Sequence, residues 1–436
     1  MVFHDPFLWR GLATIYPLSP LRELVANSFG GGTPSTAIPQ YWSGGIPWVS
    51  PKDFGEFDID DAEDHISEEG LKAANLTLAS PGSILIVVRS GILKHSIPVA
   101  LNSRPVAVNQ DVKVLVTKST CEPRYLAWYL NVFQEHLLPL ITKHSTTVQS
   151  INTSEFDELM IPTPPISKQR NLINSMDISR AERHARLAEA DALLAGLDGF
   201  LLSTLGLNLP AKDDRKVFAA SLGEARQQSH LNANYFHPER ILALRTIDTA
   251  FQSMPYSRLS DVVAFIRDQI KTPGSNYLSL AHVQSNTGEI VSADEEASGT
   301  CSVFQSGDVL FARLRPYLNK VYRAEMDGCC SPEFHVLRVN NLQNLLPDYL
   351  AAVLRSSLTL AQTRHMMTGN THPRLTNEDV INLVIPIPKD IVVQEIIVAE
   401  VHRRRDEARR LRAEAEIRWQ SAKRWFEEQL LSFDQP

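Results

Sequence analysis

The chain has 436 residues, with 43 Lys+Arg against 50 Asp+Glu, a formal net charge of −7, 43% hydrophobic and 21% charged residues. This composition excludes a disordered, collagen-like or wholly coiled-coil protein, and at ~100–200 residues per domain the length accommodates two to four domains. The longest apolar stretches, such as Ile84-Leu85-Ile86-Val87-Val88, fall short of the ~18–20 residues of a membrane helix. The N-terminus places Asp5 and Pro6 where a secretory signal needs a basic segment and an apolar core, so the expected compartment is the cytoplasm, with no membrane partner.

In chain order, Ile46–Ser50, residues 84–88, 106–108 and 112–116 read as strands separated by Gly, Pro, Asn and Ser turns. A helix is predicted near 123–137, followed by Ile161-Pro162-Thr163-Pro164-Pro165 and then by a stretch free of proline, roughly 168–205. Apolar or small residues recur there at helical spacing: Met176, Leu187, Ala190, Leu194, Leu197 and Leu201. Residues 206–216 read as a linker. Strands follow at Asn276–Leu280, 309–312 and 334–339, a helix near 347–361, Ile385-Pro386-Ile387-Pro388, and a second long stretch, 391–431, with Ile397, Val401, Ala408, Leu411, Ala415 and Ala422 on its seam. Each long helix would run ~55–60 Å at 1.5 Å per residue, more than one small domain buries.

The order of these elements repeats. A shift of 224 carries Pro123, Tyr125, Leu126, Ala127 and Leu130 onto Pro347, Tyr349, Leu350, Ala351 and Leu354, and Leu159-x-Ile161-Pro162-x-Pro164 onto Leu383-x-Ile385-Pro386-x-Pro388. A shift of 225 carries Gly82-x-Ile84-Leu85 onto Gly307-x-Val309-Leu310. Two copies of one domain are expected, with an antiparallel helical pair spacing them. The arginines Arg403, Arg404, Arg405, Arg409, Arg410 and Arg412 are expected to keep much of the second helix solvated or facing a partner. The fold class is α+β.

Catalytic motifs are missing: no phosphate-binding G-x-x-x-x-G-K-[ST], no dinucleotide G-x-G-x-x-G, no G-x-S-x-G elbow and no H-E-x-x-H. Asp5-Pro6-Phe7 lacks the second proline of an amino-methyltransferase motif. Asp111-Val112-Lys113 has the acid-x-Lys spacing of some nucleases but reads as a plain strand. His95, His144, His365 and His372 have no acid at telling spacing and read as loop or surface histidines. Cys121, Cys301, Cys329 and Cys330 fit neither a disulfide framework nor a zinc pattern and read as reduced, mostly buried thiols. No cofactor or metal is expected in this chain.

Charge distribution says more. Residues 1–166 carry 11 basic and 17 acidic residues, but eight of the acids lie in Glu56–Glu69. Basic and amide residues collect instead in acid-free turns. The segment 309–324 holds Arg313, Arg315, Tyr317, Asn319 and Lys320, and its counterpart 84–98 holds Arg89, Lys94 and His95. A second pair of loops carries Lys143, His144, Thr146, Thr147 and Gln149 in one copy and Arg364, Asn370, Thr371, His372 and Arg374 in the other. With Lys52, these are the candidate contacts to double-stranded DNA, because Arg and Lys neutralise phosphates and, with amides and hydroxyls, read base edges. A surface loop of no consequence is the competing reading for each residue alone.

Gly31-Gly32-Thr33-Pro34 followed by Tyr41-Trp42-Ser43-Gly44-Gly45-Ile46-Pro47-Trp48-Val49 resembles the opening of a target-recognition domain in the specificity subunit of type I restriction-modification systems. Gly307-Asp308-Val309-Leu310-Phe311-Ala312-Arg313, Arg315-Pro316-Tyr317-Leu318-Asn319-Lys320 and the two proline motifs before Gln169 and Gln394 extend the resemblance over nearly the whole chain. The resemblance implies two tandem mixed α/β target-recognition domains, at 1–166 and 207–390 (the latter with its linker), separated by long antiparallel helices at 167–206 and 391–436. It also implies a non-catalytic reader of a bipartite, asymmetric DNA target. Two methyltransferase subunits would dock on the helices and use S-adenosylmethionine, and a motor-nuclease subunit using ATP and Mg could join. A self-contained methyltransferase with diverged motifs and a purely structural scaffold remain the alternatives.

Overall fold

The computed structural model describes residues 14–431 except 144–147, 210, 214, 216, 220, 222, 224–232, 251–254, 272–275, 298 and 367–372. The chain divides into two compact units, Met1–Arg186 with Ala413–Pro436, and Leu187–Arg412. Both divisions fall inside the long helices, Ile166–Ala195 and Ile391–Glu428, so each helix contributes to both units. Among the described residues no helix is long and apolar enough to cross a membrane.

In the first unit a five-stranded sheet runs in the order Val25–Gly30, Val112–Thr117, Ile84–Val87, Val99–Asn102, Asp58–Ile59. In the second, Val263–Ile266, Phe334–Val339, Val309–Ala312 and Val321–Arg323 follow the same order. The registers agree as well: Ile84 pairs with Leu115 and Ile86 with Lys113, as Val309 pairs with Leu337 and Phe311 with His335. The strands Ile84–Val87 and Val309–Ala312 are unbroken apolar runs because both their faces are covered. Val309, Phe311 and Leu337 pack in one cluster with the helix Pro347–Arg355, while Leu310, Ala312 and Val336 pack in the other with Phe304 and Cys330.

A smaller sheet caps each of these. In the first unit it brings Trp48 parallel to Ala107, and in the second Tyr277 parallel to Cys329. The glycines of the opening motif serve backbone approach here: a side chain at Gly31 would collide with the carbonyl of Val108, and one at Gly44 with that of Ile66. The Trp48 indole closes the motif by donating to the Gly32 carbonyl at 2.9 Å.

The proline motifs lock each sheet to its long helix. Tyr125 Oη donates to the Pro162 carbonyl at 2.7 Å, and Tyr349 Oη to that of Pro386 at 2.8 Å. Gln169 and Gln394, both fully buried, accept the amides of Glu122 and Leu346 at 2.8 and 3.0 Å and donate to neighbouring carbonyls. Within each unit the two long helices pack side by side in opposite directions: Lys168 meets Gln429 and Arg183 meets Glu416 in one, and Asp191 meets Arg412 in the other.

Several expectations change. The central helix does not run unbroken from 168 to 205; it stops at Ala195, and a second segment, Leu197–Thr204, follows Gly196. A side chain at Gly196 would press on the Arg404 guanidinium at 2.8 Å, so the break coincides with a close approach of the partner helix. The predicted helices near 123–137 and 347–361 are each two segments, divided at Phe133 and Ser356. Arg403, Arg409 and Arg410 stay exposed, as expected of the arginine-rich face, but its arginines all have carboxylate partners. Arg403 and Arg404 pair with Glu400, Arg405 and Arg409 with Glu289, Arg410 with Glu407 and Arg412 with Asp191. The four cysteines are free and buried, and burial pushes the Cys121 and Cys330 thiols up to about 12.

Candidate nucleic-acid interface

In the first unit the strand Ile84–Val87 leaves the sheet at Val88, whose amide donates to the Asp111 carbonyl at 2.8 Å while its own carbonyl accepts Ile151 N at 2.9 Å. Arg89 then bridges Ser150 across the backbone, and Ser90 N donates to the Gln149 carbonyl at 3.1 Å. The two candidate loops, 60 residues apart in sequence, are thereby joined at one mouth of the module. Arg89 Nε holds Asp111 Oδ1 at 2.6 Å there. Beyond it a 3₁₀ turn, Gly91–Lys94, is capped by Ser90 and presents Lys94 and His95 to solvent. The exposed side chains of Lys94, His95 and Lys143 make no ion pair or hydrogen bond among the described residues. Gln149 is buried. His144, Thr146 and Thr147 lie outside the described residues.

The second unit builds the same mouth. Arg313 N donates to the Glu333 carbonyl at 2.9 Å, Leu375 N to the Arg313 carbonyl at 3.0 Å, Leu314 bridges Arg374, and Arg315 N donates to the Pro373 carbonyl at 2.8 Å. At a shift of 225 the Arg89–Ser150 bridge becomes, within one residue, the Leu314–Arg374 bridge. The Asp111 counterpart is Glu333, which Arg374 grips in a fork at 2.6 and 3.0 Å. Each mouth therefore holds one arginine–carboxylate clamp, with the arginine supplied by a different loop. Arg315 and Tyr317 stand exposed at the tip, on either side of Pro316, with Arg315 in the left-handed region at φ 47°.

Not every candidate faces outward. Asn319, buried and also left-handed, donates to the Arg355 carbonyl at 2.7 Å and to Asn286 Oδ1, and so ties the turn to the helix behind it. Lys320 Nζ is spent on the Leu280 carbonyl at 2.6 Å, and burial lowers its pKa. Arg364 pairs with the buried Glu239 at 2.6 Å. Lys52 pairs with Asp64 and Glu63 at 2.9 and 3.1 Å. Asn319, Lys320 and Arg364 are thus structural, and Lys52 is neutralised by its neighbours. Asn370, Thr371 and His372 lie outside the described residues.

Two further readings are corrected. His365 is no free loop histidine: Nε2 meets Glu239 at 2.7 Å and its ring stacks on His237 with centroids 3.4 Å apart. The trio His237, Glu239 and His365 brings ligand-type atoms close together, but two imidazoles stacked within 14° of parallel cannot aim in-plane lone pairs at one ion. Asp111 is held by Arg89, and Lys113 faces Asp157 at 3.8 Å, so the acid-x-Lys string is sheet and clamp.

Sequence reasoning missed Glu333, Glu239 and His335. His335 lies beneath the second mouth, edge-on to Phe265, and burial together with the neighbouring Arg313 brings its pKa down to about 4. No sequence signal marks His335; the register that aligns it with Lys113 is seen only in the folded sheet.

The two units thus share one architecture, a doubly covered sheet whose mouth carries one clamped arginine beside exposed cations that are unpaired among the described residues. Residues 20–178 match the family model of the type I restriction modification DNA specificity domain. The chain is 35% identical over 154 residues to the type I restriction enzyme EcoR124I/EcoR124II specificity subunit of Escherichia coli, a match covering 35% of this chain and 38% of that one. It is 31% identical over 154 residues to the MjaIX specificity subunit of Methanocaldococcus jannaschii, covering 34% of each. The chain thus spans little more than a third of the length of these curated relatives. A crystal structure of a type I restriction-modification S subunit from M. genitalium aligns over 97% of each chain with 12% identity and a TM-score of 0.46.

Proposed function

We propose that this chain is the non-catalytic, DNA-reading specificity subunit of a type I restriction-modification complex. The observation that supports it most is the repetition of the mouth: two loops joined by equivalent backbone bridges, at Arg89–Ser150 and Leu314–Arg374, with an arginine–carboxylate clamp in each. Side chains fixed in this way are suited to reading base edges, while the exposed Lys94, Lys143 and Arg315 are suited to phosphates. The two loops differ in composition, so each module would read its own half of an asymmetric, bipartite site. Successive major-groove faces recur every ~34–36 Å, and the paired long helices would set the spacing.

In this reading two methyltransferase subunits dock on the complex and carry S-adenosylmethionine, and a motor-nuclease subunit using ATP and Mg can join. The work is done in the cytoplasm on double-stranded DNA. Mapping methylated adenines across the genome with and without the gene tests the reading. It expects one bipartite motif to lose methylation. Labelled S-adenosylmethionine transferred to DNA by the purified chain alone would point instead to a self-contained methyltransferase. Partner assembly without sequence-selective DNA retention would point to a scaffold.

A further inference from the structure

The two mouths are alike in their clamps and differ directly beneath them. Where the first module has Val88 and Lys113, the second has Arg313 and His335, positions equated by the identical strand registers. Lys113 faces a carboxylate, Asp157. Arg313 has none: it is half-buried, its Nε is shut off from solvent without a hydrogen-bond partner, and its guanidinium makes no ion pair among the described residues. His335, more than nine-tenths buried, likewise has an inaccessible Nε2 with no partner. The acid beside them, Glu333, has both carboxylate oxygens occupied by the Arg374 fork.

These two buried atoms are closed to a ligand, but the accessible remainder of the half-buried Arg313 guanidinium carries a charge that no carboxylate among the described residues pairs, and a ligand that supplies acceptors would satisfy it. The Arg313 backbone is held on both sides, by Glu333 and Leu375, so its side chain is presented from a fixed base. Arg315, one turn on, is exposed and better placed to grip phosphate. We propose that Arg313, with His335 beneath it, is the base-reading cation of the second module and takes the paired acceptors of a guanine edge in the major groove. This rests on the DNA-reading function proposed above. His335, with its pKa near 4, stays neutral at physiological pH, and a neutral neighbour suits an uncharged base edge better than a phosphate, which would favour a second cation.

The test selects duplexes from a random pool with the full-length chain, assembled with its partner subunits if it binds only then, and sequences what is retained. Arg313→Lys, Arg313→Ala and His335→Phe are compared with the unmodified chain, each with its melting temperature. The expected result is that one G·C pair in the second half-site loses about ten- to hundredfold of its preference in Arg313→Lys, which keeps the charge but not the fork. His335→Phe should weaken the same preference, and the first half-site should stay as it was. The proposal is overturned if Arg313→Lys keeps the same base preference, or if Arg313→Ala weakens binding to all sequences alike. Should Arg313→Ala fail to fold, Arg313→Lys decides alone. An unmodified chain that selects no sequence refutes the reader itself, whereas a selected site indifferent to Arg313 refutes only this assignment.

Discussion

Arg124 and Asp348 stand at the same position of the two repeats and carry opposite charge, and each meets a side chain of its own long helix. Arg124 binds Asp177 at 2.7 Å and also Asp58; Asp348 accepts from His402 at 3.0 Å and pairs with Arg323. Asp177 and His402 are themselves equivalent, at a shift of 225. The lock between module and helix is thus built from an arginine on an aspartate in one unit and an aspartate on a histidine in the other. Arg124→Asp should destabilise the first unit by about 1–3 kcal/mol, since it is a partly buried pair that is broken and reversed. Denaturant titration of Arg124→Asp, Asp177→Arg and the double variant checks this; the double variant should recover part of the loss.

The same cluster makes the first unit acid-sensitive. Burial disfavours the Asp58 carboxylate, yet the guanidiniums of Arg124 and Arg180 more than offset this and hold its pKa below the usual carboxylate range. A depressed pKa in the folded state means that the stabilisation is present above the unfolded value, ~3.9, and is lost as pH falls through the folded value. Asp58→Asn should therefore flatten the pH dependence of melting below about pH 4. A variant with an unchanged acid limb would show that Asp58 contributes nothing to it.

Glu427 works in the other direction. Burial, with Glu135 and Glu428 nearby, pushes its carboxyl up to about 7 against the opposing pull of Lys423 and Arg424. Its contribution is favourable below the unfolded value, ~4.3, and is lost as pH rises through about 7. Glu427→Gln should raise stability by about 1–3 kcal/mol at pH 8.5 and change it little at pH 4, as read from melting curves at the two pH values.

Asn319 separates structure from reading. Its left-handed backbone and its bonds to Arg355 and Asn286 serve the turn that carries Tyr317. Asn319→Ala should cost about 2–3 kcal/mol, from a lost buried hydrogen bond and a strained φ, without altering which bases are selected. A changed base preference in a variant that melts normally would return Asn319 to the interface.

These cases show what the sequence made legible. The repeat, the strands around 84–88, 112–116, 309–312 and 334–339, and the entry of each long helix after a proline motif follow from local apolar runs and exact spacing, and the structure keeps them. The loops were harder. An acid-free stretch such as 309–324 looks uncompensated only along the chain; Lys320 finds a carbonyl 40 residues back, and Arg364 finds Glu239, 125 residues back. Glu239 comes from a helix, Pro238–Ala250, that no repeat shift predicts, and so Arg364 and His365 could not be placed from composition. His335 was invisible because it alternates within an apolar strand, where only the register shows that it lies beside Arg313.

The central claim, that each repeat reads its own half of the target, is tested most directly by exchanging residues 207–390 for those of a relative with a different target and mapping the methylated adenines. The account predicts a hybrid motif, with one half-site replaced and the other unchanged. Methylation that shifts in both halves together, or not at all, from an assembled and active complex would contradict it.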